Sequence, residues 1–401
     1  MNLTPLRIGF VPLVDAALPI LAHELGFAEE EGLRLDLVRD MSWATVSDRL
    51  LYGHTDAAHL VAPLAIATTL GLGRRPISLS VPFVLGLNGN AITLRADLAA
   101  QVTEIGRPGD VTKIGLKLAT VAMAAKATGK KLRLGVVHRY SSHNYMLRYW
   151  LTGSGLDPND DVEIVTVAPP YAADALASGE VDGICVGEPW NSVAVDRGAG
   201  VIAAVTAQIW QRGVEKVLAV RTERLEADPE PVHALLRALH RAGQAFIDPA
   251  QLDTVCNILA RPDYINGSAN LIRRAVSDHI LFAQGHDPVH VPDFMFQHRE
   301  AANFPWVSQA AWLYAQMGAA GHVTPNAADY VTAQGVFRPD IYRTALTKFG
   351  VPLPSASSKL EGSIIDPLGV GTTQGRLILG PDRFYDGKRF DPQVYGNSLK
   401  I

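Results

Sequence analysis

The sequence predicts an α/β protein of two similar lobes with a ligand cleft between them. Three observations predict it. Short apolar strands alternate with helical segments over the first 221 residues, the pattern of right-handed βαβ crossovers and mostly parallel sheets. Much of that stretch repeats itself. Shifted by 126 residues, Leu6-Arg7-Ile8-Gly9-Phe10-Val11 falls on Leu132-Arg133-Leu134-Gly135-Val136-Val137, and Asp48, Leu50, Gly53, Asp56 and Pro63 fall on Asp174, Leu176, Gly179, Asp182 and Pro189. Finally, 401 residues exceed one ordinary core and should divide into two.

Each copy reads in the same order. A strand (6–12, 132–138) leads into a helix (16–26, 143–153) that stops near Gly26 or Gly153. A second strand (33–39, 161–167) precedes a helix (44–52, 170–178) closed by Gly53 or Gly179. A G-x-x-D turn then opens a short apolar strand (57–61, 183–187) that ends at Pro63 or Pro189. Segments 91–95 and 217–221 hold matching places where one copy hands over to the other, and read as the crossover strands of a hinge. Lobe 1 would then comprise 1–92 and 218–401, and lobe 2 residues 93–217. Beyond Asp228-Pro229 the signal is helical: a helix to Phe246, then others near 250–260, 269–283, 305–318, 326–334 and 338–349. The last fifty residues, rich in Gly, Pro and Asp, should wrap irregularly over a lobe.

Composition narrows the function classes. A net charge of −4 supplies no basic field, which speaks against direct nucleic-acid binding. No run approaches the ~18 apolar residues of a membrane span. Cys185 and Cys256 stand in apolar surroundings, which favours two buried free thiols over a disulfide. Only residues 1–5 precede the first strand, too few for a secretory leader, so the expected compartment is the cytoplasm.

In open parallel sheets ligands sit beyond the carboxyl ends of the strands. That rule selects residues 12–17, 41–43, 87–90, 138–144, 168–170, 186–189 and 215–216. Together they offer amide, imidazole, ammonium and indole groups, with helix starts near Ala16 and His143, a set suited to a small anion. The same residues have plainer uses. A strand-end lysine such as Lys216 is ordinarily solvated, His143 can cap its helix, and Trp43 can fill core. Asn88 and Asn90 flank Gly89 as in a tight turn, and Glu188 can anchor the turn before Pro189. Enzyme motifs are weak: Ala124 stands where a P-loop before Gly129-Lys130 needs glycine, and Gly153-Ser154-Gly155 is no nucleophile elbow. Pro288 between His286 and His290 spoils a helical metal face, so neither metal nor cofactor is assigned.

At Ser42-Trp43-Ala44, Leu87-Asn88-Gly89-Asn90-Ala91-Ile92, Ser142-His143-Asn144, Leu147-Arg148-Tyr149-Trp150-Leu151, Gly183-Ile184-Cys185-Val186-Gly187-Glu188-Pro189-Trp190-Asn191 and Glu215-Lys216-Val217-Leu218, the chain resembles the nitrate- and bicarbonate-binding proteins of ABC importers. The resemblance covers about residues 5–350. It implies the two-lobed type II periplasmic-binding-protein fold, with an oxyanion held by Trp43, Asn88 or Asn90, His143 and Lys216, walled by Pro169 or Pro170, and with Gly187 and Glu188 beside it. The departure is in the amide loop, where asparagines stand in place of glutamines. Lys216 points to nitrate or nitrite over bicarbonate. Members without a leader resemble cytoplasmic nitrate sensors (the NasS type), which release an ANTAR-domain transcription antiterminator when nitrate binds. The 384–392 segment resembles that branch too. The expectation is therefore a cytoplasmic nitrate or nitrite sensor with an antiterminator partner. The alternatives are a solute-binding component of a nitrate or bicarbonate importer and, less favoured, a pyrimidine-synthase-type enzyme on the same fold.

Overall fold

The computed structural model describes residues 3–400. Ten strands build its two main sheets: β1 (Thr4–Phe10), β2 (Leu33–Arg39), β3 (Ala57–Val61), β4 (Leu79–Asn88), β5 (Asn90–Leu94), β6 (Leu132–Val136), β7 (Val162–Thr166), β8 (Gly183–Gly187), β9 (Val201–Val205) and β10 (Val214–Arg221). The first sheet runs β2-β1-β3-β10-β4, with the short strand Met295–Phe296 on the edge, and the second runs β7-β6-β8-β5-β9. In each, the three strands of one repeat copy pair in parallel and the next strand is antiparallel. The repeat is thus visible as two equivalent ladders. Its turns match atom for atom: Arg7 N–H donates to Asp56 Oδ2 and Arg133 N–H to Asp182 Oδ2, both at 2.8 Å. These aspartates close the turn before β3 and β8 by capping the first strand of their own copy.

The crossover strands lie where the repeat placed them, but they change sheets a few residues earlier than expected. All of Asn90–Leu94 pairs with β8 and β9, and Val214–Arg221 pairs with β3 and β4. The division at 92/93 and 217/218 is accordingly proposed at Gly89 and Gly213. Asn88 and Gly89 both have left-handed φ, +56° and +83°, which turns the chain out of one sheet and into the other. The two crossovers are tied together there. Asn88 N–H donates to Gly213 O at 2.9 Å and its Nδ2 to Gln211 O at 2.8 Å.

The expected helices are present at Ala17–Glu24, Trp43–Leu51, Ser142–Gly153, Ala172–Ala177 and Glu230–Ile247. The helix expected over 269–283 ends at Val276, because Asp278 takes a left-handed φ of +57° and turns its carboxylate back onto Met295 N–H. The chain then enters the short strand His279–Ile280, which pairs with Val289–His290. Strands β4 and β9 and the helix Val111–Ala127 went unassigned in the sequence. The tail also departs from expectation, for it spans both lobes instead of covering one. Phe384 stacks on Trp210 at 4.9 Å and on Trp312 at 5.6 Å, while Tyr149 Oη donates to Asp386. Cys185 and Cys256 are buried free thiols. Among the described residues no helix is long and apolar enough to cross a membrane.

Candidate functional site

The carboxyl ends of the two sheets face each other, and the chain is closed over them. Val14 N–H donates to Glu188 O at 2.9 Å and Trp190 Nε1 to Pro12 O at 3.0 Å, both across the cleft. Beneath these contacts lies a buried chain of alternating base and acid. Lys216, near the start of β10 and fully buried, places Nζ 2.7 Å from Asp15 Oδ2 and 2.7 Å from Glu215 Oε1. Asp15 Oδ1 lies 2.9 Å from His59 Nε2, and Glu215 Oε1 lies 3.2 Å from His143 Nδ1. Trp43 covers one side, its ring 5.1 Å from His59 and 5.3 Å from the Lys216 ammonium.

Local sequence explains how each group reaches this point. Ser42 caps the Trp43–Leu51 helix by accepting Thr45 N–H, which sets Trp43 on its first turn. Ser141 does the same for Ser142–Gly153 by accepting Asn144 N–H, and places His143 at that helix start. Asp15 sits in the 3₁₀ turn Val14–Ala16 just past β1, and His59 is the one imidazole in the apolar strand β3.

Burial alone would neutralise these groups, but their pairing decides otherwise. Burial opposes ionisation of Asp15, yet Lys216 and His59 outweigh it and hold the carboxyl down at about 2. With the His143 ring neutral, Glu215 is likewise lowered against its burial by the Lys216 ammonium 2.7 Å away, and Lys216 is raised against its burial by the two carboxylates. The pairs are therefore ionised. Burial lowers His143 to about 4, despite Glu215, so its ring is neutral.

Several buried polar atoms here have no hydrogen-bond partner: Trp43 Nε1, both carboxamide atoms of Asn90, and both ring nitrogens of His143. Orphaned buried polar atoms call for a ligand or water to satisfy them. A side chain at Gly187 would bring its Cβ to 3.2 Å from Asn90 Oδ1 and 3.3 Å from Asp15 Oδ2, so glycine keeps this corner open. Asn88 and Asn90 separate by role: Asn88 spends its Nδ2 on the crossover, whereas Asn90 keeps its whole carboxamide free. Pro169 is buried and Pro170 half-buried in the turn after β7, where neither brings a polar side-chain atom.

Glu188 stands apart from the lysine chain. Its Oε2 accepts Ser192 N–H at 3.3 Å, as the anchoring use of this residue required. Burial pushes its carboxyl up to about 7, against hydrogen bonds from Ser192 and Asn191. The unfolded chain ionises near 4.5, so the folded state holds the extra proton between those values. Stability should fall as pH rises from 4.5 to 7, by about 3 kcal/mol in all. Glu188→Gln lacks this loss. Urea unfolding at pH 5 and pH 8 should show the variant gaining on the wild type at the higher pH, and a pH-independent difference would refute the shift.

Sequence reasoning included Asp15 only within the span 12–17, with no role of its own, missed His59, and treated Glu215 only as the neighbour of Lys216. The lone imidazole of β3 was the one available signal. The ordinary expectation for Lys216, a solvated strand-end lysine, is overturned: it is fully buried.

Comparison with known proteins agrees with this architecture. The family profile described as NMT1-like matches residues 1–260. The nitrate/nitrite binding protein NrtA of Synechococcus elongatus is 30% identical over 407 residues, covering 98% of this chain and 86% of that protein. The nitrate import ATP-binding protein NrtC of the same organism is 32% identical over 355 residues, covering 88% of this chain but only 51% of its own length. The crystal structure of the periplasmic nitrate-binding protein NrtA from Synechocystis aligns with a TM-score of 0.85 at 24% identity, over 100% of this chain and 99% of that one, a likeness of fold. The chain belongs to the NMT1-like family and has its two-lobed periplasmic-binding-protein fold.

Proposed function

We propose that this protein binds nitrate or nitrite in the closed site between its two sheets, as the solute-binding component of an importer. One observation carries the reading. The buried Lys216 ammonium lies 5.3 Å from the Trp43 ring, and Trp43 Nε1, the Asn90 carboxamide and the His143 ring nitrogens are buried without partners, at positions that the family resemblance associates with an oxyanion. A small planar anion would satisfy these groups, and burial would strengthen each contact. Gly187 would supply clearance, and Pro169 and Pro170 would form wall. Glu188 would act as an anchor for its turn instead of a ligand. The relatives are named as binding and import proteins, which favours binding over catalysis.

Calorimetry with sodium nitrate, nitrite, bicarbonate and sulfate tests the reading. Nitrate and nitrite should bind and the others should not. Asn90→Leu should weaken nitrate about 10- to 100-fold, the worth of a hydrogen bond to a charged group. Asn88→Gly, which keeps the left-handed turn, should stay within a few-fold of the wild type. Equal losses in both variants would remove the distinction between the two asparagines, and no heat with nitrate would remove the reading.

The cytoplasmic sensor with an ANTAR-domain antiterminator partner is the finer expectation, and it rests on sequence resemblance alone. The importer relatives support the solute-binding role better. A pull-down from cell extract separates the two. The sensor reading requires an antiterminator captured without nitrate and released by it.

A further inference from the structure

The charges around Lys216 do not suit a bare anion. Asp15 and Glu215 both contact the ammonium, so the buried chain already carries two negative charges against one positive. A monovalent anion placed there adds a third negative charge in a region shielded from water.

His143 offers the resolution through its stereochemistry. Its Nδ1 lies 3.2 Å from Glu215 Oε1 but is not aligned as a hydrogen bond, so both ring nitrogens are buried without a partner. A neutral ring holds a proton on only one of them, so one nitrogen always presents a lone pair, to Glu215 or to the anion. To donate to Glu215 and to the anion at once, the ring must hold a proton on each nitrogen. We propose that the site takes its anion together with a proton, and that His143, oriented by Glu215, accepts that proton. The proposal rests on the nitrate-binding reading and adds to it the form in which the ligand is taken.

Other features of the fold fit. His143 lies at the start of an α-helix, where the helix dipole and burial both disfavour an imidazolium until an anion arrives. The charged groups near it are Glu215 and Lys216 from β10 and Asp15 from the turn after β1, with the Cys185 thiol of β8 near Glu215. Lys216 is raised and Asp15 and Glu215 are lowered, so none of the three is poised to change charge near neutrality. His59 meets Asp15 through Nε2 and leaves Nδ1 unpartnered, which makes it one competitor for the proton. The remaining competitor is Glu188, whose carboxyl titrates near 7.

Calorimetric titration of the full chain with sodium nitrate at pH 7, in buffers of different ionisation enthalpy, counts the protons taken up. The expected count approaches one per nitrate, with Kd rising about tenfold from pH 6 to pH 7, because each co-bound proton contributes one power of proton concentration. His143→Gln should bind more weakly, with a count near zero and a flat Kd. On the wild type itself, ¹⁵N-histidine NMR should show both His143 ring nitrogens protonated in the nitrate complex and one in the free protein. Tight nitrate binding with no proton uptake overturns the proposal and leaves the nitrate reading intact. Uptake that persists in His143→Gln and disappears in Glu188→Gln also overturns it. Absence of nitrate binding overturns both.

Discussion

Lys216→Met is expected to abolish nitrate binding and to destabilise the protein by about 3–5 kcal/mol at pH 7. Methionine keeps the apolar stem that lies beside Trp43 and deletes only the ammonium. Asp15 and Glu215, each 2.7 Å from that ammonium, then remain buried with no strong cation. A buried pair contributes little beyond a well-packed apolar substitute, but removing one partner strands the other charge, and here it strands two. The sign of the pH dependence follows. Without Lys216, burial pushes both carboxyls up, so they can be protonated in the folded state, and the deficit should shrink as pH falls from 7 towards 5. Urea midpoints of both proteins at the two pH values check this. Adding Asp15→Asn to the variant should return part of the lost stability, since the stranded charge is then neutral. A single variant with wild-type stability at pH 7 would mean that Lys216 is not paired as described.

Phe384→Ala is expected to cost about 3–5 kcal/mol, the usual range for truncating a fully packed phenylalanine. The ring lies within 4.9 Å of Trp210, 5.6 Å of Trp312 and 5.5 Å of Tyr149, which belong to three separate segments. Its neighbours tie the strand of tail beside it to the chain just before β10: Tyr385 N–H donates to Ile209 O and Gln211 N–H to Arg383 O. Losing the ring opens a cavity among aromatic groups that have nothing else to close on. Equilibrium unfolding measures the loss, and proteolysis should cut the variant first within 380–390. A change below 1 kcal/mol would show that the tail rests on the surface instead of packing into it. Gly153 has its place here as well. A Cβ there would come within 1.9 Å of Tyr385 Oη, so this glycine, read as a helix stop, is the seat of the tail.

Much of the scaffold was legible because its signals are local. Gly53 and Gly179 take left-handed φ of +75° and +74°, and the aspartate three residues after each turns back onto its first strand. A repeat of such punctuation shows in the sequence without any knowledge of contacts. Strands β4 and β9 were missed for the opposite reason. Both are buried at every position, β9 is apolar throughout and β4 nearly so, so neither shows the alternation of a half-buried strand.

By itself the sequence determined the two βαβ copies, the crossover strands and the set of strand-end residues that line the cleft, since periodicity and turn chemistry act over a few residues. Only the tertiary structure decided what those residues do. Lys216 meets Asp15, His143 meets Glu215, and Asp15 meets His59 across separations of 44 to 201 positions or between sheets. Whether a charged side chain is solvated, paired or stranded depends on the burial and the partners that the fold supplies, and no local pattern encodes them.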